Sequence, residues 1–263
     1  MRKYLAFLKT SLLNAFVYRG PMVVWLAANS LSLVTAVAIW FSASAGERIG
    51  GYTKPELITY YVAALSLQWL TGWFPFYSVC DEIKHGEIVS RLVKPISYFW
   101  QKFAEELGWH LVSSLLGLAT TFLFAFFLRD FIVLNFSLTR ILLLVPTIIL
   151  AILVVFSFSL CMGLLSFWFL EVGTVDNLFW IARLILGGQG IPISFIPEAF
   201  QIVVKILPFR YMFSFPLEIY FGRLSAMEII QGVSLQFFWV AILAQLYKLM
   251  WNRGRRAYTA FGQ

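Results

Sequence analysis

Charge is scarce in this chain. Only 13% of its 263 residues are Asp, Glu, Lys or Arg, against about 25% in an ordinary soluble domain. Hydrophobic residues make up 60% and aromatic ones 18%, and the mean hydropathy is +0.82. A soluble domain of this length has too little interior to hide so much apolar surface, so the solvent is read as lipid. Cysteine is nearly absent: Cys80 and Cys161 lie far apart, each beside an apolar run. That spacing excludes a disulfide framework and a zinc cluster and leaves two packing residues. The two histidines, His85 and His110, have no HExxH or other second ligand set around them, so no metal site is expected. GxxxxGK[ST] does not occur, so ATP is not bound by a P-loop. GGQG at 187–190 has no strand before it and no lysine after it, and reads as a helix break. GxSxG is missing too, as is any His/Asp or Ser/His cluster that a membrane-embedded enzyme would need.

Long apolar runs are what the chain does have. A bilayer crossing takes about 20 mostly apolar residues. Candidates are Pro21–Ala43, Ile58–Val79, Leu107–Leu128, Ile141–Leu165 and Met227–Met250, with Pro146 a kink signal in the fourth run. A less regular fifth crossing sits before the last, with Phe179–Leu186 as helix. The stretch 187–223 stays apolar but is broken by Gly187, Gly188, Gly190, Pro192, Pro197, Pro208, Pro216 and Gly222, as re-entrant or interfacial half-helices would be. Residues 1–20 place Leu5, Leu8, Leu12, Leu13 and Phe16 at helical spacing between lysines. They read as an amphipathic helix in the membrane interface and not as a cleavable signal. The expected fold is therefore all-α and polytopic, a single transmembrane domain over 1–263 with six crossings.

The sparse charge is unevenly placed. Six crossings put both termini on one side. Arg2, Lys3, Lys9, Arg19, Lys84, Arg91, Lys94, Lys102, Lys248, Arg253, Arg255 and Arg256 share that side. Each short opposite loop carries two cations, Arg48 with Lys54 and Arg129 with Arg140, and the broken stretch 187–223 carries three, Lys205, Arg210 and Arg223. The bias puts termini and the 81–103 segment in the cytoplasm. The formal charge of +7 is read as these flanks, with no nucleic-acid partner. Carboxylates near the runs (Glu105, Glu106, Glu171, Asp176) fall close to the cytoplasmic ends. An ion-coupled carrier would need one near mid-bilayer.

Two places invite a functional reading. The first is DEIKHGEIVSRLVKPISYFWQKF, residues 81–103, a charged interruption between apolar runs. Gly86 breaks the chain, EIVSRLV forms two turns, and Lys94-Pro95 ends them. Ile88, Val89, Leu92 and Val93 form an apolar face beside the polar Glu87, Ser90 and Arg91. A helix so short must dock onto something, either its own bundle and the lipid surface or a soluble partner. The second place is Arg183, a charge inside the fifth run, with Asp176 seven residues earlier on the same face. It lines a cavity or subunit seam and meets a polar substrate group, or else it pairs with a neighbouring acid or snorkels.

At this point the chain resembles the membrane subunits of type-2 ATP-binding-cassette exporters, in particular the small six-span bacterial permeases. The resemblance covers essentially the whole chain. It is carried by the N-terminal helix, GGYTKPELITYY at 50–61, IKHGEIVSRLVKPISYF at 83–99, LPFRYMFSFPLEIYFG at 207–222 and WNRGRRAYTAFG at 251–262. It implies a permease in the bacterial inner membrane that works beside a second permease, a copy or a relative. Two separate ATPase subunits would hold ATP and Mg, and this chain would have no ATPase site or cofactor of its own. It further implies that Glu87, Ile88, Val89, Arg91, Leu92, Val93 and Lys94 belong to a coupling helix seated in the ATPase, and that 187–223 caps the path on the outside. A carrier or channel working without an ATPase is the main rival. A non-transporting scaffold also stays open at this stage.

Overall fold

The computed structural model describes residues 2–17, 19–42, 48–72, 74–93, 95–133, 137–169 and 171–258. It is helical throughout: the only extended pairing among the described residues is an isolated bridge between Ile49 and Tyr52. Among the described residues, four helices are long and apolar enough to cross a membrane: Gly20–Ser42, Tyr98–Phe127, Leu138–Phe167 and Ala226–Ala257. Six crossings are expected from the sequence, the fifth of them irregular; the run read as the second is divided, and the helix read as the fifth is short.

In chain order the first helices are α1 (Arg2–Val17), α2 (Arg19–Ser42), α3 (Lys54–Thr71), α4 (Phe76–Lys84), α5 (Ile88–Leu92) and α6 (Tyr98–Phe127). The run expected to cross at Ile58–Val79 is divided between α3 and α4. Pro75 supplies no N–H and pushes the residue before it out of the helical region, and Gly72 ends α3 with its N–H on the Gln68 carbonyl. The apolar count along the run conceals that break. α4 continues to Lys84, so the charged segment at 81–103 is built from three helices. Asp81–Lys84 ends α4, Ile88–Leu92 is α5, and from Tyr98 onward it is α6. Gly86 turns the chain between α4 and α5 at φ +79°, a conformation that favours glycine.

The second half comprises α7 (Leu138–Gly163), α8 (Gly173–Leu186), α9 (Glu198–Ile206), α10 (Pro208–Met212), α11 (Ser214–Tyr220) and α12 (Ala226–Ala257). α7 is the central post. Ala151, Val154, Val155, Phe156 and Leu160 on it are buried, and α12 packs along it. Pro146 lies inside α7 without ending it. Neighbouring carbonyls are satisfied from side chains, as membrane helices allow: the Thr147 hydroxyl donates to Leu143 and Leu144. Gln236 of α12 donates to the Thr147 and Tyr211 carbonyls, tying α12 to α7 and α10.

α8 has 14 residues, roughly 21 Å at 1.5 Å per residue, short of the ~30 Å hydrocarbon core. α8 is therefore too short to cross by itself, and Arg183 stands in its last turn. Beyond the turn at Gly187–Ile191, α10 and α11 are buried through Met212, Phe213, Phe215 and Ile219, while α9 exposes Phe200, Ile202 and Val203. α6 and α12 have 30 and 32 residues, roughly 45 and 48 Å. Each outruns the hydrocarbon, and the surplus carries charge: Lys102, Glu105 and Glu106 near the start of α6, and Lys248 to Arg256 at the end of α12. α1, expected in the membrane interface, is held against the bundle. It packs along α6, and the Ser11 hydroxyl donates to the Glu105 carbonyl. Cys80 and Cys161 are both buried and unpaired with each other.

Candidate functional site

Two places draw charged side chains together. The first lies under α5. Ile88 is fully buried, packed with Val79, Ile83, Tyr98, Phe156 and Leu160, and Leu92 leans on the same cluster. The short helix thus docks onto its own bundle by two of the four apolar residues expected to meet a partner. Val89 (44% exposed) and Val93 (77%) point away, as do Glu87 and Ser90. Lys94 lies outside the described residues.

Arg91 fastens this arrangement. Its guanidinium donates to Glu82 of α4 and Glu105 of α6, both at 3.0 Å, and sits 5.8 Å over the Phe7 ring of α1. Lys102 joins the same two acids at 2.8 and 3.3 Å. Tyr98 donates to Glu82, Gln101 to Glu105, and Lys102 to the Ser78 hydroxyl. Two acids thus face two bases, and every charge has partners of opposite sign, which is what a low-dielectric site requires. The cradle joins α1, α4, α5 and α6. In the sequence, Lys102 and Glu105 read only as flanking charge, and Glu82 carries no role. The i,i+3 spacing of Lys102 and Glu105 is a usable signal; the approach of Glu82 is not, because it depends on how α4 meets α6.

The second place is a cavity of ≈460 Å³ between α2, α3, α4, α6 and α8. Arg183 and Asp176 both line it, as their shared helix face predicts, but they do not form an ion pair. Arg183 is 6% exposed. Its guanidinium stacks 4.3 Å from the centre of the Phe74 ring, and its Nε has no hydrogen-bond partner. Asp176 accepts from the Tyr77 hydroxyl at 2.7 Å. Glu106 and His110 of α6 enter from another wall, Oε2 and Nε2 3.8 Å apart. The sequence pattern assigns neither of them a role. Among the described residues no cluster of three or more His, Cys, Asp or Glu could hold a metal ion.

A third set of contacts closes the far end of α3. The Tyr60 and Tyr61 hydroxyls donate to the carbonyls of Gly188 and Gly190, at 2.5 and 2.8 Å. The Arg223 guanidinium lies 3.3 Å over the Tyr52 ring and donates to the Gly51 carbonyl. Burial pushes the Tyr52 phenol up to about 12 against the opposing pull of Arg223. The glycine-rich break is thus a docking point for two tyrosines, in keeping with its reading as a helix break.

The family model for ABC-2 family transporter proteins matches residues 24–262. The chain belongs to the ABC-2 transporter family. No curated protein and no solved structure matches it. As an ABC-2 family protein it is a multi-pass membrane transport subunit, a permease that works with an ABC ATPase and is not itself the catalyst. α1 and the first turn of α2 lie outside the matched residues.

Proposed function

We propose that this ABC-2 permease is half of an ATP-driven exporter's membrane path and that α5 is where the ATPase's motion enters. The carrying observation is the clamp of Arg91 on Glu82 and Glu105. A five-residue helix cannot push on anything by itself. Fastened to α4 and α6 by charge-assisted bonds and by the buried Ile88, it moves as one body with them. Glu87, Val89, Ser90 and Val93 form the face offered to the ATPase, with Lys94 next in the chain. Ile88, Arg91 and Leu92 are the inward fastening.

The mechanism is alternating access. Two ATPase subunits, carrying ATP and Mg, close on each other and press on α5 of each permease. α4 and α6 tilt and the path opens outward. The second permease is a copy or a relative. α3 with α4 supplies the second crossing in two pieces, and α8 supplies the inner part of the fifth. Residues 187–223 cap the outer end, and Arg183 and Asp176 line the path. The termini and α5 face the cytoplasm of a bacterial cell, as the Lys/Arg bias supports.

The test is purification in mild detergent with and without Val93→Asp, which puts a charge on the exposed apolar patch. The wild-type permease brings an ATPase with it and the variant loses it or uncouples hydrolysis from transport. A variant that retains its ATPase and full coupling overturns the assignment of α5.

A further inference from the structure

The cavity beside α8 holds fixed charges of both signs that the fold does not pair with one another. Arg183 has no carboxylate within ion-pair distance among the described residues, and its Nε is unpartnered although buried. Asp176 is met by the neutral Tyr77 hydroxyl and by no cation within 4 Å among the described residues. The two stand seven residues apart on one helix face, roughly 10 Å along its axis. Glu106 faces the same space from α6. A buried charge without a counter-charge is costly, so Arg183 calls for an anionic group in the cavity, and the half-buried Asp176, which has no cation beside it, leaves a place for a cationic one. A guest with only negative charge would satisfy Arg183 and meet Asp176 and Glu106. A guest with only positive charge would leave Arg183 unanswered. A dipolar guest answers both.

The walls extend this reading. Trp25, Trp69, Trp109 and Trp180 line the cavity, and indole faces attract a cation. A second space of ≈350 Å³ adjoins it, with Met22 and Leu116 lining both. Its lining is entirely apolar, and Phe16, Leu111 and Leu115 there are exposed on the protein's outer face. That annex suits a hydrocarbon chain. The volumes are those of ordinary ligand sites.

We propose that the cavity binds a zwitterionic amphipath. Its anionic group meets Arg183, its cationic group lies toward Asp176 and Glu106 among the tryptophans, and its chain occupies the annex. Calling this guest the cargo rests on the reading of Arg183 and Asp176 as path residues; the binding itself does not. A zwitterionic bilayer lipid and a free single-chain zwitterion share this chemistry.

The experiment uses the permease with its ATPase in an uncharged detergent. Dodecylphosphocholine, dodecyl phosphate and dodecyltrimethylammonium, each below its micellar concentration, are titrated and bound probe is counted by native mass spectrometry. The zwitterion binds about tenfold more tightly than either singly charged probe. Arg183→Gln removes its advantage over the cation, Asp176→Asn removes its advantage over the anion, and Arg183→Lys keeps both. Equal binding of a singly charged probe overturns the proposal. So does an unchanged preference in an Arg183→Gln complex that purifies and melts like wild type. Competition with phosphatidylcholine separates the sources: if the lipid displaces the probe the guest comes from the bilayer, and if the probe resists displacement it is a free amphipath. ATP hydrolysis is followed in the same samples. Binding that leaves hydrolysis unchanged keeps the site and removes it from the path. Absence of binding with normal coupled hydrolysis removes the site alone.

Discussion

Lys102 Nζ stands 2.8 Å from Glu82 Oε1, with 3% and 7% of the two side chains exposed. The pair joins α6 to α4 across the base of the bundle, twenty residues apart in sequence. Its desolvation is offset only while every member is present. Lys102→Met leaves Glu82 and Glu105 sharing Arg91 alone and costs about 3 kcal/mol of stability. Thermal unfolding of the purified permease measures it. Adding Glu82→Gln restores part of the loss, with a coupling of at least ~1 kcal/mol in the double-mutant cycle. Strict additivity would mean the two charges do not sense each other.

Gly117 of α6 faces Trp69 of α3. A Cβ at that position would run into the indole ring of Trp69. Gly117→Ala therefore costs about 1–3 kcal/mol by overpacking, against the usual gain from alanine in a helix. At Gly20 nothing lies within 4 Å, and Gly20→Ala is neutral or stabilising. Melting the two variants side by side checks the contrast; equal melting temperatures would contradict the α3–α6 packing.

Gln236 is fully buried and spans two carbonyls, Thr147 and Tyr211, at 3.0 and 3.1 Å. Gln236→Leu keeps the volume and removes both hydrogen bonds, at a cost of about 1–3 kcal/mol. Gln236→Glu offers no N–H and does no better. A variant as stable as wild type would mean that α12 and α7 are joined by packing alone.

Tyr52 gives an alkaline signature. Burial raises its phenol from 10.0 to about 12, so the folded state favours the protonated form. The associated stability is whole below the unfolded value of 10 and is lost as pH rises from 10 to 12. A rise of that size corresponds to about 2–3 kcal/mol at most. Tyr52→Phe removes this part of the decline. The gap between the stability curves of the two proteins is therefore constant below pH 10 and changes between 10 and 12 as wild type loses its share. Curves that stay parallel through that window would contradict the effect.

Much of this molecule is legible in its residues alone. Low charge and long apolar runs announce the lipid, and Lys94-Pro95 with Gly86 mark the ends of a short helix between longer ones. What stays hidden is geometric. A window of apolar residues does not reveal that Gly72 and Pro75 divide a run in two. Periodicity shows that Ile88 and Leu92 share a face with Val89 and Val93, and not that the bundle takes the first pair and leaves the second outside. The cradle also hides, because Glu82 and Arg91 meet Glu105 and Lys102 only after α4, α5 and α6 fold together. Arg183 stands out as a charge among apolar neighbours, whereas the acids and indoles that share its cavity come from α2, α3 and α6 as well as from α8 itself.

The division of α5 into an outward and an inward set separates two defects that a simple coupling-helix picture would merge. Val93 is exposed and makes no fastening contact, so Val93→Asp acts on the partner: the ATPase is lost or loosened and the permease melts as before. Arg91 is turned inward on Glu82 and Glu105, so Arg91→Ala acts on transmission. The outward face is unchanged and the ATPase still co-purifies, but its closure no longer moves α4 and α6. A reporter cysteine at Asn177, an exposed residue on the cavity wall, distinguishes them. In the wild-type complex its labelling rate changes on adding ATP. With Arg91→Ala the ATPase is present, hydrolysis continues, and the ATP-dependent change falls severalfold or disappears. If the change persists at full size, the motion bypasses the cradle, and α5 is joined to the path by Ile88 and its apolar neighbours alone.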